Sequence, residues 1–351
     1  MKMVLTLLIG GLFILLAFIA WAGYPWSLNS RKSTVESISL EPKEMNDPEE
    51  HPAVIKIMTW NIGFLYGKGS EGPGYEYKPK EFYDERLKKI ASQIKEWNAD
   101  IICLQEIDFK SHRSHGIDQA QFIAMEAGYP YVAEATSWDA NYIPFPYWPT
   151  SRHFGSMKSG GAILSKYPIV RHEVELLAKP ASHAWWYNIF YLHRYLQNAV
   201  IQVGETKFSV VNLHLEAFDK SDRQTQIRHL LAKIKSEKVD FVAGDFNMVP
   251  ASAAKKRNFP QSTDDYENDR SFELMRESGM LEAIPEEIYS KDESLYFTFP
   301  SWKPDRRLDY IFYRQNRKMM RAEVMNSNIS DHLPLRASFQ IGTPKYDIYS
   351  Q

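Results

Sequence analysis

Beyond residue 53 the chain alternates short apolar runs with amphipathic segments, and period separates the two. "VIKIMTWNIG" (Val54–Gly63) is a strand. Leu87, Ile90, Ile94 and Trp97 then mark one face of a helix at spacings of three and four. "ADIICLQEI" is a second strand, and "IDQAQFIAMEAG" is a helix closed by Gly128. Strands follow at "GGAILSKYPIV", "LQNAVIQVG" and "KFSVVNLHL", with Gly204-Glu205-Thr206 fitting a tight hairpin between the last two. "RQTQIRHLLAKIKS" is a helix, "VDFVAGDFN" a strand, "SFELMRESG" a helix, and "RLDYIFYR" and "LPLRASFQI" are strands. There is no internal repeat. Many strands with interspersed helices predict an α/β fold of two sheets packed face to face, with helices outside.

The N-terminal part reads differently. "MVLTLLIGGLFILLAFIAWA" (Met3–Ala22) carries no charge and, as a helix, extends roughly 30 Å, enough to cross a bilayer. Residues 1–26 are read as a membrane anchor, with Trp21, Tyr24 and Trp26 suited to the interface. The alternative is a signal peptide cleaved after Ala20-Trp21-Ala22. Either version sends the remainder out of the cytoplasm, anchored or, if Met1–Ala22 is cleaved, secreted. Residues 27–53 are polar, lack periodicity and read as a tether. Residues 54–341 form the folded unit, and residues 342–351 a tail.

Composition narrows the class. Of 351 residues, 44 % are hydrophobic and 25 % charged, the balance of a globular chain that can build a full core. A formal net charge of −2 gives no general attraction to nucleic acid or acidic membranes, although it leaves room for a local basic cleft. Cys103 is the sole cysteine, so no intramolecular disulfide forms; within "DIICLQEI" it reads as a buried structural thiol.

Polar side chains recur where the apolar strands end. Asn61 ends the first strand and Glu106 the second; His214 ends "VVNLHL", and Asp245 and Asn247 end "VAGDFN". Asp309 lies in "RLDYIF", and Asp331-His332 opens "SDHLPL". Alone, each is an ordinary turn or surface residue. Together, converging ends would make a pocket of carboxylates, amides and imidazoles. Such a set suits phosphoester hydrolysis assisted by Mg²⁺, or Mn²⁺, which takes hard oxygen ligands and only one or two protein carboxylates. Zinc is disfavoured by the lack of HxxxH spacing, and a serine hydrolase by the lack of G-x-S-x-G.

The ordered motifs "TWNIG", "LQEID", "NLHLEA", "GDFN", "RLDYIF" and "SDHLPL" resemble the endonuclease/exonuclease/phosphatase superfamily, whose members include DNase I-like nucleases, sphingomyelinases and inositol-polyphosphate 5-phosphatases. The resemblance spans roughly Val54 to Ile341. It implies a four-layer α/β sandwich of two mixed sheets flanked by helices, with residues 54–341 as its catalytic domain. It further implies that Glu106 is the principal metal ligand, with Asn61 beside it positioning metal or phosphate and Asp331 touching a second metal site. His332 would be the general base, or its charged partner, held by Asp309. Asp245 and Asn247 would orient the attacking water and bind phosphoryl oxygens, and His214 would stabilise the transition state. Asp108 is a candidate accessory two residues from Glu106.

Two aromatic-rich stretches, Ser137–Gly161 and His183–Gln197, either cap the sandwich or wall the substrate's leaving group. In the second case Arg152, His153 and Lys158 supply positive charge to the phosphate, and the Trp-Trp-Tyr cluster could dip into a membrane interface. The preferred substrate is a lipid head group, as for a sphingomyelinase. The alternatives are an exported nuclease acting on DNA or RNA and, in another class, a scaffold that kept the fold and lost the reaction. No obligate protein partner is indicated.

Overall fold

The computed structural model describes residues 2–24, 32–41, 52–68, 75–260 and 262–341. Helix α1 (Lys2–Ala22) precedes two short strands, β1 (Lys32–Thr34) and β2 (Ile38–Ser39). Then come β3 (Val54–Asn61), α2 (Lys80–Trp97), β4 (Ile101–Asp108), α3 (Gln119–Ala127), β5 (Tyr131–Ile143) and β6 (Gly155–Ser165). They are followed by β7 (Ile169–Leu176), α4 (Trp185–Phe190), β8 (Tyr195–Val203), β9 (Thr206–His214), α5 (Lys220–Glu237) and β10 (Phe241–Asp245). The last elements are α6 (Ser271–Glu277), β11 (Leu281–Glu282), α7 (Glu286–Tyr289), β12 (Asp309–Tyr313), β13 (Lys318–Val324) and β14 (Leu335–Gln340).

Two mixed sheets of seven strands form, in the orders β1-β7-β8-β9-β10-β12-β11 and β13-β14-β3-β4-β6-β5-β2. Alternation along each strand assigns its two faces. Ile55, Ile57, Ile101 and Cys103 meet Ile201, Val210, Phe241 and Ala243 between the sheets. Met58, Trp60, Ile102 and Leu104 turn outward onto α2 and α3, while Val211, Leu213, Val242 and Phe312 turn outward beneath α5 and α6. The expected four-layer α/β sandwich is therefore present. Cys103 is buried between the sheets, where desolvation raises its thiol well above its ordinary pKa.

Helix ends follow their local chemistry. Asp219 accepts from the backbone N–H groups of Ser221 and Asp222 to cap α5, and Asp118 accepts from that of Gln121 to cap α3. Gly128, with φ 85°, closes α3 as expected, and Asn98 takes the left-handed position after α2.

The tether reading needs correction. Lys32–Thr34 adds to the edge of one sheet against β7, and Ile38–Ser39 adds to the edge of the other against β5. Segments this short show no period, and what holds them is pairing with an edge strand. Residues 25–31 and 42–51 and the 342–351 tail lie outside the described residues. Within the aromatic-rich stretch 137–161, β5 runs to Ile143 and β6 starts at Gly155.

Candidate active site

The inward-facing positions change character toward one end of the sandwich. Ile57 is followed at the next inward positions of β3 by Thr59 and Asn61; Val210 of β9 is followed by Asn212 and His214. On β4 the series is Ile101, Cys103 and Gln105; on β10 it is Phe241, Ala243 and Asp245. Register brings these ends together: Asp245 pairs with His214 on one side and with Asp309 on the other. Beneath them lies a buried amide and hydroxyl layer. Gln105 Nε2 donates to Asn212 Oδ1 at 2.7 Å, and Asn212 Nδ2 donates to Gln197 Oε1 at 2.8 Å. Gln105 Nε2 also reaches Thr59 Oγ1 at 3.1 Å. This satisfied network bridges both sheets and gives the site a fixed floor.

Glu106 arrives by another route. Against β6, Gln105 pairs with Gly161 and Ile107 with Gly160, so Glu106 is the extra residue of a bulge, with φ 50°. A left-handed non-glycine residue inside a strand is strained, and here the strain turns a carboxylate into the site. Gly244 serves a related need: a Cβ there would lie 2.1 Å from the carbonyl oxygen of Leu213, so only glycine lets β10 approach β9 this closely.

Asp245 is the centre of the arrangement. Its Oδ2 accepts from Asn61 Nδ2 at 3.0 Å and lies 3.6 Å from His214 Nε2 and 3.7 Å from His332 Nε2. Its Oδ1 accepts from the backbone N–H of Asn247 at 2.9 Å. Asn61 Nδ2 also donates to Glu106 Oε1 at 3.0 Å, while Asn61 Oδ1 accepts from the Gly63 N–H at 3.0 Å. Asn61 thus holds two carboxylates together, and its oxygen is committed to a turn. Asn247, at φ 49°, sits in a turn rather than on the strand face, and its Nδ2 donates to the Leu215 carbonyl at 3.0 Å. The segment is at once a turn and part of the site.

The two imidazoles differ. His332 Nδ1 lies 2.8 Å from Asp309 Oδ2, and Trp60 Nε1 donates to the His332 carbonyl at 3.0 Å. Burial alone would favour the neutral ring, but Asp309 and Asp245 outweigh it and hold His332 up to about 10. It is an imidazolium at neutral pH. His214 Nε2 instead accepts from Arg194 Nη1 at 2.7 Å, and burial together with Arg194 and His332 pushes its pKa well below 6.5. It is neutral. Burial raises Asp245 to about 6, with His332 opposing the rise; burial also raises Asp331.

The donor set fits a hard divalent cation. Glu106, Asp245 and Asp331 line one cleft with His214 and His332. Asp309 Oδ1 is buried with no hydrogen-bond partner among the described residues; Asp245, Asp309 and His332 bring their polar atoms within 4.8 Å of one another, but a charged His332 has no lone pair for a metal, which leaves the carboxylates. Carboxylate oxygens in this number suit Mg²⁺ or Mn²⁺.

The cleft, of about 900 Å³, is also lined by Lys68, Arg194, Phe218, Trp302 and Arg306. None of the three cations expected to bind phosphate lines it. Arg152 sits 3.6 Å from Glu76, His153 bridges Tyr142 Oη at 2.6 Å and the Tyr147 carbonyl at 3.1 Å, and Lys158 is exposed on β6. They belong to the aromatic stretch and its contacts, not to the surroundings of Asp245. Asp108 is not an accessory either: the bulge separates its face from that of Glu106, and it is fully buried, taking hydrogen bonds from Arg113 Nε and Nη2 at 3.1 Å each. Arg194 escapes the sequence reading. The signal available is its place, a polar residue directly before β8, at a strand end like the others. Glu216, which accepts from Arg194 Nε at 3.4 Å and from Tyr191 Oη at 3.2 Å, completes this support.

Comparisons with known proteins agree with this architecture. A model of the endonuclease/exonuclease/phosphatase family matches residues 58–332. The chain is similar to the endonuclease/exonuclease/phosphatase from Beutenbergia cavernae, with TM-score 0.60 and 20 % identity over 83 % of this chain and 72 % of that one. It is similar to the mannosyl-6-phosphatase of Bacteroides thetaiotaomicron, with TM-score 0.53 and 16 % identity over 82 % of this chain and 100 % of that one. A third likeness is to D. rerio TDP2 complexed with a single-strand DNA product, with TM-score 0.52 and 17 % identity over 83 % of this chain and 100 % of that one. At these identities the likeness is one of fold. None of the curated proteins compared matches the chain.

Proposed function

Because the chain belongs to the endonuclease/exonuclease/phosphatase family, we propose that residues 54–341 hydrolyse a phosphodiester with the help of a divalent cation, and that the substrate is a lipid head group. Glu106 would hold the cation, and Asp331, which lines the same cleft, would touch a second metal site. Bound there, Mg²⁺ or Mn²⁺ supplies charge that neutralises the phosphoryl oxygens and the leaving group.

The protein's own residues carry the remaining steps. Asp245, at about 6, is ionised at neutral pH yet basic enough to take the proton of the attacking water. Asn61 and the Asn247 N–H fix its two oxygens, so one face is left toward the cleft. His332, charged and backed by Asp309, donates to a phosphoryl oxygen as negative charge grows there. This assigns His332 the charged-partner role rather than that of the base. His214 is a spacer whose Nε2 orients Arg194, and the guanidinium supplies the second positive group. The observation that carries the proposal is the convergence on Asp245 Oδ2 of one amide and two imidazoles, with Asp309 behind.

The lipid reading is supported by an apolar α1 of 21 residues and by the aromatic cleft residues Phe218 and Trp302. The test is a panel of sphingomyelin and phosphatidylcholine vesicles, phosphoinositide, plasmid DNA and abasic duplex, each with Mg²⁺ and with EDTA. Release of a phosphorylated head group, stopped by EDTA, is expected. Cleavage of DNA with intact lipids would replace the substrate; no turnover of any member would leave the scaffold reading.

A further inference from the structure

Helix α1 is not a free leash. Its last turn and the residues after it are fastened to the domain at one place. Asn141 donates its backbone N–H to the Tyr24 carbonyl at 2.8 Å and its Nδ2 to the Trp21 carbonyl at 3.0 Å. The rings of Phe18 and Trp21 lie 6.0 and 6.5 Å from that of Tyr142. Gly23 sits against Ile189 of α4 so closely that a Cβ there would lie 2.4 Å from the isoleucine Cγ2. The rest of α1 is exposed along its length.

Two segments meet this attachment, the stretch after β5 and the short helix α4, and both carry exposed aromatic residues. Tyr142 continues through His153 to the Tyr147 carbonyl, and Tyr147 and Trp148 are 56 % and 79 % exposed. On the other side Ile189 belongs to the short helix whose Trp185 and Trp186 are 69 % and 50 % exposed. Large rings exposed to water are costly, whereas Trp and Tyr are favoured where a bilayer meets water. These four rings belong to the two segments that meet the end of α1, a helix long enough to span a bilayer. We propose that Tyr147, Trp148, Trp185 and Trp186 are seated in the interfacial layer of the bilayer that α1 crosses.

This proposal rests on the reading of α1 as a membrane anchor and adds an orientation to it. The segment after α4 turns directly into the active site: Tyr191 meets Glu216, Leu192 lines the approach to Glu106, and Arg194 meets His214. Seating the Trp185–Trp186 helix in the interface therefore sets one wall of the cleft at the lipid surface, where a head group would be met without leaving the bilayer.

The test uses the full chain in phosphatidylcholine vesicles. Cys103 is wholly buried, so a cysteine introduced at an exposed position is the accessible thiol for an environment-sensitive fluorophore. Trp148→Cys and Trp185→Cys report the two segments, and Met320→Cys, on β13 at the opposite edge of the β5 sheet, is the control. Vesicles carrying doxyl-labelled lipid are expected to quench the labels at 148 and 185 several-fold more than the label at 320, with blue-shifted emission at the first two. If the chain floats with the vesicles while 148 and 185 quench no more than 320, the surface is wrong and the anchor stands. If the chain does not float with the vesicles, anchor and surface fall together.

Discussion

Asp309→Asn removes one oxygen charge at 2.8 Å from His332 Nδ1 and leaves the side chain's shape unchanged. The ring titrates at about 10 against an ordinary 6.5. At roughly 1.4 kcal/mol per pH unit, that difference is on the order of 5 kcal/mol in favour of the charged form. Asp309 acts through both charge and hydrogen bond, and at 2.8 Å it is nearer than Asp245 at 3.7 Å. Assigning it about half of the total, ~2–3 kcal/mol, brings the ring of the variant to about 8. At pH 9 the charged fraction then falls from about nine-tenths to about one-tenth, while at pH 7 it is nearly complete in the wild type and still about nine-tenths in the variant. The variant's deficit in kcat should therefore widen about tenfold between pH 7 and pH 9. Rates across that range, paired with an NMR titration of the His332 ring, make the assay. A ring whose folded pKa lies above its unfolded one stabilises the fold fully below about 6.5 and loses that contribution as pH rises toward 10. The wild type should thus also weaken on the alkaline side, and the variant less so. A wild-type ring that titrates near 6.5, or a deficit identical at both pH values, would refute the charged-partner role and return His332 to that of base.

Glu106→Gln should abolish turnover at limiting Mg²⁺ with no change in melting temperature, since the side chain is only partly buried and the amide preserves its shape; the Mg²⁺ activation curve and a thermal melt check this. His332→Ala removes the cation that holds the pKa of Asp245 down, so the acidic limb of the pH–rate profile should move to higher pH while kcat falls by at least ~10²-fold. A limb that vanishes in this variant would point to His332 as the base. Asp108→Asn breaks a fully buried pair with Arg113 and should cost about 3–5 kcal/mol of stability in denaturant titrations, with kcat unchanged below the transition. Loss of activity without loss of stability would place Asp108 in the site after all.

Much of this is legible in the chain because β-structure has a period of two. Once Ile57 or Phe241 is assigned inward, Asn61 and Asp245 follow inward by counting, and the parallel pairing of β9 with β10 brings His214 to Asp245. What counting cannot deliver is a residue that breaks the period. "LQEID" singles out Glu106, but that it faces the site depends on a bulge the pattern does not show. Proximity in sequence misleads in the opposite direction: Arg152 and His153 stand beside aromatic residues, yet their partners are Glu76, Tyr142 and Tyr147. The protonation of the two histidines is out of reach for a different reason. It depends on which charges lie close in space, Asp309 and Asp245 for one ring and Arg194 for the other, and those neighbours are distant along the chain.

The central claim is that a cation-assisted hydrolysis runs on Asp245 as base, and initial rates of bis-p-nitrophenyl phosphate hydrolysis by the full chain between pH 4 and 9 test it most directly. With Mg²⁺, wild-type activity should rise along an acidic limb at about pH 6 or, with a cation bound at Glu106, below it, and EDTA should abolish it. Asp245→Asn should lower kcat by at least ~10²-fold and flatten that limb. Turnover that is indifferent to EDTA, or an Asp245→Asn protein that keeps both its rate and its limb, would contradict the account.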